Sequence, residues 1–388
     1  MTPSHFAAAR YYLLAYLPVA ITVTYLPIWL VDQGIGENEI GLINTLPMCG
    51  LLAMGIFVGR LADQAPDWKR TIAIGHGIAA LVALLLWVAT GFWQILAVWT
   101  LTTLAAGLVN PVADAATIRL SLRQGFSFGS VRALGTVGYL VMCVAAGFIL
   151  DHTGPDGFVW LFVACCIARF AAAAGLPAFR DAGETRRAGK GGAFLSRELL
   201  AALPLWVLLP IVGGAMLYGN HMVMNAFSAL VWKQQGISEG GIGILIGIGG
   251  VAEAIAMFAW QKINARLPAR VLILIGGVAA LFRWGLMAFE LPYYAICILQ
   301  LGQALTFSIA FLGCIYFIAK RTDEATAAEA QSLFVALQQV FSIGIITLFG
   351  LVYAIAGISA FWVMVGLALL ALGMIAASLR LHGPDPAG

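Results

Sequence analysis

The sequence predicts an all-α polytopic membrane protein, with twelve transmembrane helices in two pseudo-symmetric six-helix bundles. Three observations carry that prediction. Of 388 residues, 62% are hydrophobic and only 10% charged, and the mean hydropathy of +0.95 lies far above that of soluble domains. Twelve apolar runs are each long enough to cross about 30 Å of hydrocarbon. Finally, the chain repeats weakly: Gln33-Gly34-Ile35 recurs as Gln235-Gly236-Ile237, and Glu37, Ile40 and Gly41 recur as Glu239, Ile242 and Gly243, both at an offset of 202.

The runs fall near 10–31, 39–60, 70–91, 94–121, 127–150, 157–178, 201–231, 239–262, 269–289, 292–319, 329–355 and 358–380. Helices are expected because lipid offers no partner to an open backbone, and the alternating pattern of barrel strands is absent from the sequence. The first run is long and no small-residue cleavage site follows it, so it reads as a spanning helix. With a cytoplasmic N-terminus, 17 of the 21 Lys and Arg fall on inner loops and helix ends and only Lys233 falls outside. The other three, Arg132, Arg169 and Arg283, lie within spans. That asymmetry places both termini of a multi-pass inner-membrane protein in the cytoplasm. Residues 179–200, with Arg180, Arg186, Arg187 and Lys190 among Gly, Ala and Ser, read as a cytoplasmic linker between bundles 1–178 and 201–388. The net charge of +3 gives no basis for a nucleic-acid partner. All six cysteines sit in apolar segments without metal or disulfide spacing and read as core residues. No metal and no cofactor is expected.

Charges inside the spans are the functional signal, because each costs at least about 2.5 kcal/mol at the bilayer centre and such residues face a cavity or a partner. Asp114 and Arg132 each lie nine residues from Arg123 in the turn between the fourth and fifth runs (123−114 and 132−123). At the rise of an α-helix both reach about 13 Å into the membrane from the same side, so they are expected to meet. The pair reads either as a structural ion pair or as part of a solute pathway. In the second half, counting from the outer turns puts Arg283 about 12 Å and Glu253 about 25 Å deep, which does not require them to pair directly. Tyr218, His221, Asn225, Ser228 and Trp232 share one face of the seventh helix, and His221 is the mid-membrane histidine. Arg169, toward the inner half of the sixth run, is expected to snorkel and to serve structure. Tyr12, Tyr16, Tyr25, Trp29 and Tyr139 are candidates for an aromatic wall or for packing. Trp29, Trp93 and Trp232, near outer helix ends, read as interface anchors.

Two stretches carry a family resemblance. Gly59-Arg60-Leu61-Ala62-Asp63-Gln64, followed by Lys69-Arg70, resembles the loop motif between the second and third helices of the major facilitator superfamily, although Gln64 to Trp68 depart from it. Asn110-Pro111-Val112-Ala113-Asp114-Ala115, followed by Phe128-Gly129-Ser130-Val131-Arg132 and then Gly135, Gly138 and Tyr139, resembles the branch that contains lactose permease and the phenylpropionate permeases. The resemblance extends through Leu26-Pro27-Ile28-Trp29, the stretch Phe227 to Trp232, Val251-Ala252-Glu253 and Arg283-Trp284-Gly285. It implies gating by Gly59, Asp63 and Arg70, substrate binding by Asp114, Arg132, Tyr139 and Arg283, and a proton role for Glu253; the polar face of the seventh helix adds His221 and Asn225 as substrate-binding candidates or as partners of a neighbouring helix. Gln303 and Thr306 stand where lactose permease carries a His and a Glu, so any proton must use Asp114, Glu253 or His221.

The expected function is secondary active import, by alternating access and proton symport, of a small organic solute, an aromatic acid or a sugar-like molecule. The expected partners are that solute, protons and the lipid bilayer, with the chain acting as a monomer. Export by the same fold is the first alternative. An intramembrane enzyme is a remote one, because no G-x-S-x-G or H-E-x-x-H motif is present.

Overall fold

The protein's structure, a computed structural model, describes residues 3–64, 67–126, 128–179, 203–264, 266–321 and 324–382. The described residues form helices and short helical turns, with no strand among them. In chain order these are α1 (Pro3–Ala15), α2 (Leu17–Asp32), α3 (Glu37–Gln64), α4 (Trp68–Ala83), α5 (Gly91–Gly107), α6 (Asn110–Gln124), α7 (Phe128–Thr153) and α8 (Gly157–Ala174). From residue 203 onward come α9 (Leu205–Gln234), α10 (Glu239–Asn264), α11 (Ala269–Met287), α12 (Tyr293–Leu301), α13 (Ala310–Arg321), α14 (Glu324–Ala356) and α15 (Phe361–Leu381).

Several predicted spans are interrupted for reasons legible in their residues. The first breaks at Tyr16 because Pro18 opens α2 without an N–H to donate backwards. The fourth breaks between α5 and α6, where Pro111 occupies the first turn of the new helix. α6 then stops at Gly125, whose φ of 71° is the left-handed conformation of a helix cap. Between α12 and α13 the chain runs through a π-helical segment, Ala304–Ile309. Among the described residues, ten helical stretches are long and apolar enough to cross a membrane, against the twelve expected. α3 is not among them, and Leu333–Leu381 forms one apolar stretch across α14 and α15, because the short turn Gly357–Ala360 carries no charge to divide it.

The chain divides into two compact units, one comprising Met1–Lys190 with Ser238–Ile244, the other Gly191–Ile237 with Leu245–Gly388. In the first, α1 packs on α7 and α8, α2 on the same two helices, and α4 on α5 and α8. Its core gathers Tyr11, Tyr12, Ile72, Ala113, Val131 and Phe179. Two glycines of the α7 motif set the α1–α7 distance. A Cβ at Gly138 would collide with the Leu13 carbonyl oxygen, and one at Gly135 would lie 2.7 Å from the Tyr16 ring. Gly138→Val is therefore expected to push α1 off α7 at a cost of about 1–3 kcal/mol. A fluorescence-detected thermal unfolding midpoint lowered by about 2–12 °C would register it.

In the second unit α9 packs along α14 and α15, and α11 against α13, α15 and the π-helical segment. Burial corrects two sequence expectations about Trp. Trp29, 3% exposed and stacked on Phe158 at 5.1 Å, and Trp232, 1% exposed, are core residues and not interface anchors. Trp93, 77% exposed, is free to act as one.

Candidate functional site

Each unit carries one cluster of charged and polar side chains. In the first unit the equal depths expected for Asp114 and Arg132 are matched by their approach: Arg132 Nε lies 3.8 Å from Asp114 Oδ1. The side chains remain 38% and 42% exposed respectively, unlike the closed core around them. Asp114 also accepts a 2.6 Å hydrogen bond from the Tyr12 hydroxyl, which α1 brings in. The Arg132 guanidinium lies over the Tyr16 ring at 4.7 Å and near the Tyr12 ring at 5.8 Å. Tyr12 and Tyr16 thus clamp the pair from two sides, a role that their spacing alone does not reveal. Tyr139 follows Arg132 by two turns of α7 (139−132 = 7), on the same helix face and half-buried.

The second cluster centres on Arg283 of α11, 2% exposed. Its Nη1 donates to Thr306 Oγ1 at 2.9 Å, and its Nη2 donates to Gln300 Oε1 at 3.0 Å and to Gln303 Oε1 at 2.9 Å. The same Gln303 amide then donates from Nε2 to Glu253 Oε1 at 2.5 Å. Arg283 and Glu253 therefore do not pair directly, as their depths suggested, but are joined through one neutral amide. Thr306 lies within the π-helical segment and Gln303 immediately before it, and with Gln300 they recur at a spacing of three, so all three acceptors face Arg283. His221 is 2% exposed, with its ring 4.7 Å from Phe307 of that segment. Tyr218 sits beside Phe307 and Phe311 at 5.8 and 5.9 Å. Asn225 turns its amide to Met222 Sδ at 3.5 Å and does not join the Arg283 network.

At the α3–α4 connection, the side chains of Gly59 and Asp63 lie outside the described residues. Arg70 is exposed in the first turn of α4. In the same connection Asp67 caps α4 by accepting from the Lys69 N–H at 2.7 Å and also accepts from the Phe179 N–H at 2.9 Å. Arg123 donates to the Phe179 carbonyl at 2.8 Å, so the backbone of Phe179 is held by a charged side chain at both its N–H and its C=O. Such a cap is worth about 1 kcal/mol. The Asp-x-[Lys] spacing before an apolar run is the sequence signal that marks it.

No group of three or more His, Cys, Asp and Glu that could hold a metal occurs among the described residues. The MFS_1 like family model matches residues 5–365. The chain is 27% identical over 373 residues to a probable 3-phenylpropionic acid transporter of Escherichia coli (strain K12), covering 93% of this chain and 94% of that one. It is 22% identical to a maltose permease of Geobacillus stearothermophilus, covering 85% and 84%. Among solved structures, the nucleoside transporter NupG superposes with a TM-score of 0.80 at 15% identity, covering 98% of this chain and 100% of that one.

Proposed function

The chain belongs to the MFS_1 like family, and on that premise we propose that it imports a small organic acid by proton symport. The protein is a multi-pass membrane transporter for a small molecule, not an enzyme. The observation that carries the finer reading is the Arg283–Gln303–Glu253 chain. Three neutral oxygens, from Thr306, Gln300 and Gln303, hold the guanidinium in place, and none of them cancels its charge. Glu253, reached through the Gln303 amide, supplies that counter-charge. When Glu253 takes a proton, the field of Arg283 is released and an anionic solute is drawn in. When the solute leaves, the proton is free to leave after it. Coupling by charge balance needs a single cycling carboxyl, which suits a chain whose tenth span carries Gln303 and Thr306, neither of which titrates in this range.

Substrate-binding roles are proposed for Asp114, Arg132 and Tyr139 in the first unit and for His221, Asn225 and Arg283 in the second. Asp114, Glu253 and His221 are the proposed proton carriers, with Glu253 leading. Gly59, Asp63 and Arg70 are proposed to gate the movement of halves 1–178 and 201–388 about the 179–200 linker. A monomer in the inner membrane with both termini cytoplasmic completes the proposal. The similarity to a probable phenylpropionic acid transporter favours an aromatic carboxylate over a sugar, and Arg is suited to carboxylates because its N–H groups form a planar fork. A thermal-shift screen of the purified protein with arylpropionates, maltosides, simple sugars and nucleosides tests this. Stabilisation by the carboxylates alone is expected, and stabilisation by sugars alone would reject the reading.

A further inference from the structure

The first unit holds a second buried charge that the transport reading does not use. Arg169, in the fourth turn of α8, is only 5% exposed, so it does not snorkel as its position in the sequence suggested. Among the described residues, its hydrogen-bond partner is the Cys166 sulfur, 3.8 Å from Nη2, and its buried Nε–H has no acceptor. Opposite, on α4, His76 is 0% exposed and shares a 2.9 Å hydrogen bond between Nε2 and the Tyr11 hydroxyl, while its buried Nδ1 has no partner. If the Tyr11 hydroxyl donates to Nε2, both groups of that bond are used and the imidazole proton sits on Nδ1. The opposite tautomer strands the hydroxyl proton of a residue 2% exposed. Nδ1–H is thus a second unanswered donor, on a helix that packs directly against α8. α4 and α8 meet at this level, since a Cβ on Gly77, next to His76, would lie 3.1 Å from the ring of Phe170, next to Arg169.

The nearby carboxylates are already engaged. Asp114 is taken by Tyr12 and Arg132, and Asp67 by the backbone of Lys69 and Phe179. A buried cation beside unanswered N–H donors, with no acidic side chain meeting them among the described residues, asks for an acceptor that carries negative charge. We propose that the first unit binds a small inorganic monoanion of halide size between Arg169 of α8 and His76 of α4, with Tyr11 fixing the imidazole. The small size follows from burial: Arg169 and His76 are 5% and 0% exposed, whereas the Asp114–Arg132 pair is open enough to meet a transported solute. The ion is structural, tying α1, α4 and α8 together, and is independent of the solute.

The test is the thermal unfolding midpoint of the purified full chain in sodium chloride, sodium bromide or sodium gluconate at equal ionic strength. A saturable rise of about 2–5 °C in the halides over gluconate is expected. The rise should vanish in Arg169→Gln and persist in Cys166→Ser. An equal midpoint in all three salts would overturn the proposal, leaving water as the partner of both donors. So would a halide response retained in Arg169→Gln, or one lost in Cys166→Ser, which would place the ion at the sulfur and not between Arg169 and His76. Should Arg169→Gln fail to fold, anomalous scattering from bromide-soaked crystals of the parent decides: a peak between Arg169 and His76 supports the site, and its absence rejects it.

Discussion

The Glu253→Gln variant is expected to bind the solute with the same affinity at acid and neutral pH and to exchange solute for solute across a membrane, while failing to accumulate it against a gradient. Gln at this position imitates a permanently protonated carboxyl, so the charge of Arg283 stays uncompensated and available to an anion. In the parent, solute affinity should fall as pH rises, because deprotonation of Glu253 restores the counter-charge reached through Gln303. Coupling free energies between two ligands usually amount to about 1–3 kcal/mol, so affinity should change by about 5–150-fold between the two protonation states. In Glu253→Gln that ratio should collapse to unity. Equilibrium binding of radiolabelled solute at a series of pH values, paired with counterflow in proteoliposomes, measures both halves of the expectation. A variant that retains the parent's pH dependence would move the proton to Asp114 or His221.

The Arg132→Ala variant is expected to lose about 10–100-fold in solute affinity while unfolding within about 1 kcal/mol of the parent, because charge-assisted hydrogen bonds to a ligand contribute about 1.5–3 kcal/mol and half-exposed ion pairs contribute little to stability. The two effects separate because the Asp114 and Arg132 side chains are 42% and 38% exposed. The remaining loss is the contact with the Tyr16 ring, worth about 0.5–1 kcal/mol. Arg132→Lys keeps the charge but not the planar fork, and should recover only part of the affinity. Titration calorimetry alongside thermal unfolding separates affinity from stability. A variant that binds normally yet unfolds far below the parent would make the pair structural.

The contrast between the two clusters shows what the amino-acid pattern can convey. Asp114 and Arg132 were legible because they sit on two regular helices joined by a short turn, where a fixed rise per residue converts sequence distance into depth. Their partner Tyr12 was not, because it arrives from a helix about a hundred residues away and no local spacing encodes that approach. In the second unit the depth count kept Arg283 and Glu253 apart but could not supply Gln303 as the bridge. Gln303 stands on a different span from either charge, and no local spacing encodes their approach. Arg169 misled for a related reason: its distance from a helix end permits snorkelling, but it is 5% exposed on a helix that packs against α1, α2 and α4. The glycines of the α7 motif were visible as a family pattern, and packing explains Gly135 and Gly138, which let α1 and its tyrosines come close enough to hold the charge pair.

The claim that solute entry is driven by protons is tested most directly by reconstituting the parent in proteoliposomes with an alkaline interior and following uptake of a labelled arylpropionate. Transient accumulation above the external concentration, abolished by a protonophore and absent in Glu253→Gln, is the predicted result. Accumulation indifferent to the protonophore, or uptake in the parent that only equilibrates the solute under the imposed gradient, would contradict it.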